Sequence, residues 1–147
     1  MNWKSAYLES RILSASPLDL VNILYEHAIL EVEEARRHLA GGNVAARSRS
    51  ISKAIAIIGE LQSSLDHDAG GEIAANLTRL YHYMRQRLTT GNVQQSDAPL
   101  AEVGALLESL GEAWRAINTV SSPWLNSTVG HMPVGEVPPS AMGGWTV

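Results

Sequence analysis

Apolar side chains recur at alternating intervals of three and four from Leu18 onward: Leu18, Val21, Tyr25, Ala28, Val32, Ala35 and Leu39. That spacing gathers them on one side of an α-helix and predicts a heptad seam held over several turns. The start carries its own signals. Ser16 suits the N-cap, Pro17 the first helical position, and Asp19 can bond back toward the cap. Gly41-Gly42 predicts a left-handed termination.

A second helix is predicted from about Val44 to Leu65. At 100° per residue its Ile51, Ala54, Ile58, Leu61 and Leu65 fall within about 80° of arc, with Ile55 and Ile57 on opposite rims about 160° apart. Leu61 to Asp66 closes it, and Asp68-Ala69-Gly70-Gly71-Glu72 opens a third helix whose first turn favours the Glu72 carboxylate. This third helix is expected over about Ala69 to Thr90, ending at Gly91-Asn92. Its seam is Ile73, Leu77, Leu80, Met84 and Leu88, with Ala74 and Tyr81 alongside. Ser96-Asp97-Ala98-Pro99 starts a fourth, with the seam Leu100, Val103, Leu107, Leu110, Trp114 and Ile117.

No strand pattern competes between Pro17 and Val120. Four helices of similar length on short connections predict an all-α fold, an antiparallel four-helix bundle over 16–120. Ahead of it lies a short apolar segment, 1–15, with Trp3, Tyr7, Leu8, Ile12 and Leu13. Behind it, 121–147 is rich in proline and glycine, has a single acidic residue in Glu136, and reads as an extended tail.

Composition narrows the function. A chain of 147 residues holds one domain with a sizeable core. The net charge is −4 and the eleven basic residues are scattered, so no basic patch marks a nucleic-acid binder. With no cysteine there is no disulfide, thiolate metal site or thiol nucleophile, which suits a reducing compartment. No signal-peptide pattern opens the chain and no apolar run of about 18 residues could span a bilayer. The expected location is the cytoplasm.

Catalytic and metal readings find little support. Glu34 and His38, like His27 and Glu31, sit four apart and pair as exposed helix neighbours do. The repeated Glu-x-x-His of di-metal bundles is missing. His38-Leu39-Ala40-Gly41-Gly42 faintly echoes a phosphorylatable histidine segment, without the lysine and at a helix end. No nucleophile, base and orienting group come as a set, and no phosphate-cradling loop is present. The expectation is no catalytic residue, no metal and no cofactor.

Surplus hydrophobicity is the sharper signal. A shallow groove floored by Ala54 and Ala74, walled by Ile57, Leu61, Tyr81 and Met84, with Leu77 of the third seam beside it, would accept an amphipathic partner helix. Plain core packing is the competing account of the same residues. A bundle adaptor for a regulatory or phosphotransfer partner is the alternative function.

The block Lys53–Leu88, with Ser64-Leu65-Asp66, Gly70-Gly71-Glu72-Ile73-Ala74, Asn76-Leu77, Leu80-Tyr81, Tyr83-Met84 and Leu88, closely resembles the FliS family of flagellar secretion chaperones. So do Ala6-Tyr7, Ser14-Ala15-Ser16-Pro17, Leu24-Tyr25, Ala28-Ile29, Asp97 to Val103, and Glu112-Ala113-Trp114. The likeness covers roughly Ala6 to Ile117. It implies a helical bundle that binds the disordered C-terminal segment of flagellin in the cytoplasm, prevents premature polymerisation and helps deliver it to export-gate components. It also implies that the N-terminal segment, with a tyrosine matching Tyr7, lies near the binding groove, and Ile12 is expected to contribute there. Two departures stand out: Lys4, beside Trp3, occupies the place of a second family tyrosine, and Leu24-Tyr25-Glu26-His27-Ala28 replaces the common Leu-Tyr-Asp-Gly-Ala.

Overall fold

A computed structural model describes residues 16–117, and these fold into four α-helices. They are α1 (Pro17–Ala40), α2 (Val44–Ser63), α3 (His67–Gln94) and α4 (Asp97–Ala116). The expected N-terminal segment 1–15 and the tail 121–147 lie outside the described residues. Helix α1 packs on α2 and on α4, and α3 packs on the same two, so the four stand at the corners of an antiparallel bundle with α1 and α3 on one diagonal.

Local chemistry explains the helix ends. Ser16 Oγ accepts from the Asp19 backbone N–H at 3.2 Å while the Asp19 carboxylate accepts from the Ser16 N–H at 3.3 Å, the reciprocal arrangement its sequence predicts. Gly41 closes α1 in a right-handed conformation, and it is Gly42, with φ of 74°, that turns left-handed. Asn43 caps α2 by accepting from Ala46 N–H.

Helix α3 departs from expectation at both ends. Its cap is Asp66, whose Oδ1 accepts from the N–H groups of Asp68 and Ala69, both at 3.1 Å. The first turn then breaks at Gly71, where φ of 52° and ψ of −122° suit only a residue without Cβ. At the far end Gly91-Asn92 does not terminate the helix. It continues to Gln94, and Gln95 takes the left-handed position.

Gly91 is there for packing. A Cβ on it would stand 2.8 Å from Leu100 Cδ2 and 3.2 Å from the Ser96 carbonyl, so its missing side chain lets α4 press against α3. Gly91→Val is therefore expected to cost about 1–3 kcal/mol through overpacking, read as a lower urea midpoint by far-UV circular dichroism. An unchanged midpoint would mean the two helices part freely there.

The core is a single cluster running through all four helices. The α1 seam is buried from Leu18 to Ala35, with Leu39 half-buried at its end. Polar ties hold the edges. Arg36 forks onto Asp97, Nε to Oδ1 at 2.8 Å and Nη2 to Oδ2 at 3.1 Å, joining α1 to the start of α4. That contact holds the Asp97 carboxyl below its usual range. As a half-exposed pair it contributes roughly 1 kcal/mol at most. Arg47, buried near the start of α2, gives its Nε proton to Asn92 Oδ1 at 2.8 Å and an Nη2 proton to the Asn92 carbonyl at 3.3 Å. Its charge thus meets the carbonyl-rich end of α3, where the helix dipole favours a cation.

Candidate functional site

The bundle's centre holds a polar cluster. Tyr25 of α1 and Tyr81 of α3 meet across the diagonal, hydroxyl to hydroxyl at 2.6 Å, and either can donate. Trp114 of α4 lies beside them, its ring centroid 6.5 Å from that of Tyr25, and hydrogen-bonds with the pair. Burial disfavours the phenolate, so both hydroxyls are raised above their ordinary value of 10.0, Tyr81 to about 12 and Tyr25 beyond it. No base stands next to either in that cluster. The hydroxyls stay protonated at neutral pH and serve to align three helices.

A pH dependence follows. Below about pH 10 the pair's contribution to stability is complete, because folded and unfolded chains are equally protonated. Above it the unfolded chain releases protons that the folded chain keeps, and stability falls by about 1.4 kcal/mol per pH unit for each tyrosine. Urea midpoints measured at about pH 8 and about pH 11 should therefore differ more in the native chain than in the Tyr25→Phe, Tyr81→Phe double variant. Equal pH slopes would place the titration elsewhere.

Among the described residues no three His, Asp or Glu side chains gather as metal ligands. His38 Nε2 lies 3.6 Å from Glu34 Oε2, an ordinary partner one turn away.

The residues expected to form a groove between α2 and α3 divide sharply. Ala54, Leu61, Ala74, Tyr81 and Met84 are buried within the core cluster, so they are its filling and not exposed groove walls. Ile57 and Leu77 are half-buried. Tyr7 and Ile12 lie outside the described residues. The buried Arg47 reaches Asn92 from the core side of α2, but Ile57 is turned away from the two α2 side chains that meet α3 on its flank, Ser48, bonded to Asn92, and Gln62, bonded to Arg85 at 2.9 Å. At 100° per residue Ile57 lies roughly 140–180° around the helix from both, on the side toward α1.

An open apolar strip instead runs along the edge between α3 and α4. One end of that edge is drawn shut by Gly91 against Leu100 and by polar ties. Glu102 there accepts from Arg87 Nε at 2.7 Å and from the Tyr83 hydroxyl at 2.5 Å. Those two donors hold the Glu102 carboxyl below its usual range. Continuing the same antiparallel register brings Leu80 level with Leu110, Leu77 with Ala113, and Ile73 with Ile117. Leu77, Leu80, Leu106, Leu110 and Ile117 are each half-buried against the core, and Ile73 is 42% exposed. From Leu106 to Ile117 along α4 the strip is about 16 Å long, enough to seat about three turns of a partner helix. The short polar side chains nearest it, Asn76 and Ser109, carry no charge.

Sequence reasoning assigned Ile73 and Leu80 to the α3 core seam. The buried line instead runs through Ala74, Tyr81, Met84 and Leu88, which turns Ile73 and Leu80 toward α4. The available signal was excess: α3 carries two adjacent apolar stripes where one suffices for a bundle corner.

With this geometry in view, comparison with known proteins is specific. A family model described as "Flagellar protein FliS" matches residues 1–121. The chain is similar to the flagellar secretion chaperone FliS of Salmonella typhimurium, 40% identical over 116 residues, which cover 78% of this chain and 86% of that one. It is also similar to flagellar secretion chaperone FliSB of Pseudomonas aeruginosa, 34% identical over 79% of this chain and 92% of that one. With FliS of Bacillus subtilis identity falls to 26%, over 76% of this chain and 82% of that one.

Proposed function

This chain belongs to the FliS family of flagellar secretion chaperones, and on that premise we propose that it binds the C-terminal segment of flagellin. The family is one of chaperones and not of enzymes. The client enters as a disordered chain and folds an amphipathic helix onto the α3–α4 strip, with Ile73, Leu77, Leu80 and Leu110 beneath it. The buried Ala54, Leu61, Ala74, Tyr81 and Met84 hold the two helices that carry the strip. Covering the client's apolar face keeps it from polymerising early, and release occurs at export-gate components. No helix among the described residues is long and apolar enough to cross a membrane, which is consistent with work in the cytoplasm.

The observation that carries this reading is the contiguous row of half-exposed aliphatics that α3 and α4 set side by side. Such a row costs solubility unless something covers it, and a disordered helix-former supplies that cover by folding as it binds. Co-expression of the tagged chain with flagellin tests the assignment. Complete flagellin should co-purify in equal amount, while flagellin lacking its C-terminal segment should be lost. Equal recovery of both would refute the segment assignment.

A further inference from the structure

The strip between α3 and α4 has two unlike ends, and the difference bears on which way round a helix lies on it. A helix seated over that edge runs along α3 and against α4, or the reverse. Because α3 and α4 are antiparallel, as the pairs Gly91–Leu100 and Arg87–Glu102 show, their backbone dipoles oppose one another and favour neither direction. The polar side chains at the two ends therefore decide it.

At the closed end Arg87 Nε gives its proton to one Glu102 oxygen and the Tyr83 hydroxyl gives its own to the other, so each carboxylate oxygen already faces a donor. A guanidinium carries only donors, and among the described residues Arg87 engages through Nε alone, which leaves its Nη1 and Nη2 groups to offer. Level with Glu102, Arg87 stands about one helical turn beyond Leu106. At the open end Ile73 is level with Ile117, and its neighbour Glu72 is an exposed carboxylate, an acceptor only. Arg79 is turned to the Asn76 side-chain oxygen on the outer rim, inside that end.

We infer that the client helix lies with its C-terminal end at Arg87 and its N-terminal end at Glu72, parallel to α3 and antiparallel to α4; this rests on the strip being the client's seat. The last four carbonyls of a helix have no partner within it and carry the negative end of its dipole. The first four N–H groups are likewise unpartnered and carry the positive end. In this direction the carbonyls meet the Nη groups of Arg87 and the N–H groups meet the Glu72 carboxylate. Reversed, unpaired N–H groups would face a guanidinium and unpaired carbonyls a carboxylate, so both ends lose. The same bridge sets where the helix stops. Gly91 and Leu100 close the edge behind it, so the client's last apolar side chain falls level with Leu106 and its final turn meets Arg87. Arg87 thereby selects a client whose helix ends there.

The chain has no cysteine, so a spin label can be set at one chosen site. Ala105→Cys and Ala116→Cys place it on exposed positions of α4 at the closed and open ends of the strip, about 16 Å apart. With the isotope-labelled C-terminal segment of flagellin bound, the label at 105 should broaden amides toward the C-terminal end of the bound stretch. The label at 116 should broaden those toward its N-terminal end. Arg87→Met should weaken binding about fivefold with an unchanged far-UV spectrum, and Arg87→Lys, which keeps the charge, should recover most of that loss. The opposite order of broadening would overturn the inference while leaving the strip as the client's seat. Native affinity in Arg87→Met would overturn it equally, by removing Arg87 from the contact. A bound segment that neither label broadens would remove the strip as the seat, and the direction with it.

Discussion

Tyr81→Asp is expected to unfold the bundle. Tyr81 is 1% exposed and its hydroxyl meets Tyr25 at 2.6 Å in the middle of the core. Truncating a buried aromatic costs about 3–5 kcal/mol through lost contacts and the cavity left behind. A carboxylate placed there without a cation must be protonated or remain expensively ionised, which adds several kcal/mol more. Against a total stability of about 5–15 kcal/mol, the sum is enough to abolish the folded state. Urea titration by far-UV circular dichroism should show no native baseline for the variant. Leu61→Asp, at another buried core position, should behave alike. Tyr81→Phe separates shape from polarity. It keeps the ring and leaves the Tyr25 hydroxyl with Trp114, so it should cost only about 1–2 kcal/mol. Adding Tyr25→Phe should then cost less than the two single losses together, because the pair shares one hydrogen bond. A fully helical, cooperative Tyr81→Asp variant would mean that this position is a surface wall after all.

Much of this architecture was legible in the sequence, and unevenly so. Helix α1 was read nearly residue by residue because its seam has no rival on the same side, and Ser16 and Asp19 cap it from both directions. The capping box is a local device, and local devices announce themselves. Helix α3 was harder for physical reasons. Its two apolar stripes lie one residue apart, so periodicity gives the helix but not its rotation. The spacing favours Ile73 and Leu80 for the seam with Ala74 and Tyr81 alongside, and the structure buries Ala74 and Tyr81. Gly91 resembles a terminator in sequence, whereas its role depends on Leu100 and Ser96 of another segment. The tie between Arg36 and Asp97 spans 61 residues, and the Tyr25–Tyr81 pair spans 56. Nothing in the local pattern of either partner reveals the other. The spacing predicts a groove walled by Leu61, Tyr81 and Met84, and the structure buries all three in the core, because which stripe of α2 and α3 turns inward depends on the neighbouring helices.

The largest functional effect is expected on the α3–α4 strip. Leu80→Asp sets a carboxylate where the proposed client's apolar face lies, and Ile73→Asp does the same two turns further along. Desolvating such a group on binding costs roughly 3 kcal/mol, which corresponds to about a hundredfold weaker affinity. Ile73 is 42% exposed, so its substitution should leave the bundle's stability nearly unchanged. Val93→Asp is the control, since Val93 is 74% exposed at the opposite end of the bundle and should not touch the client.

Isothermal titration of the flagellin C-terminal segment into the native chain and into Ile73→Asp tests the central claim most directly. The native chain should bind with a negative heat-capacity change, the mark of apolar burial coupled to folding of the segment. Ile73→Asp should lose about a hundredfold in affinity while its far-UV spectrum and thermal midpoint match the native chain's. Binding by the folded Ile73→Asp variant with native affinity would contradict the account.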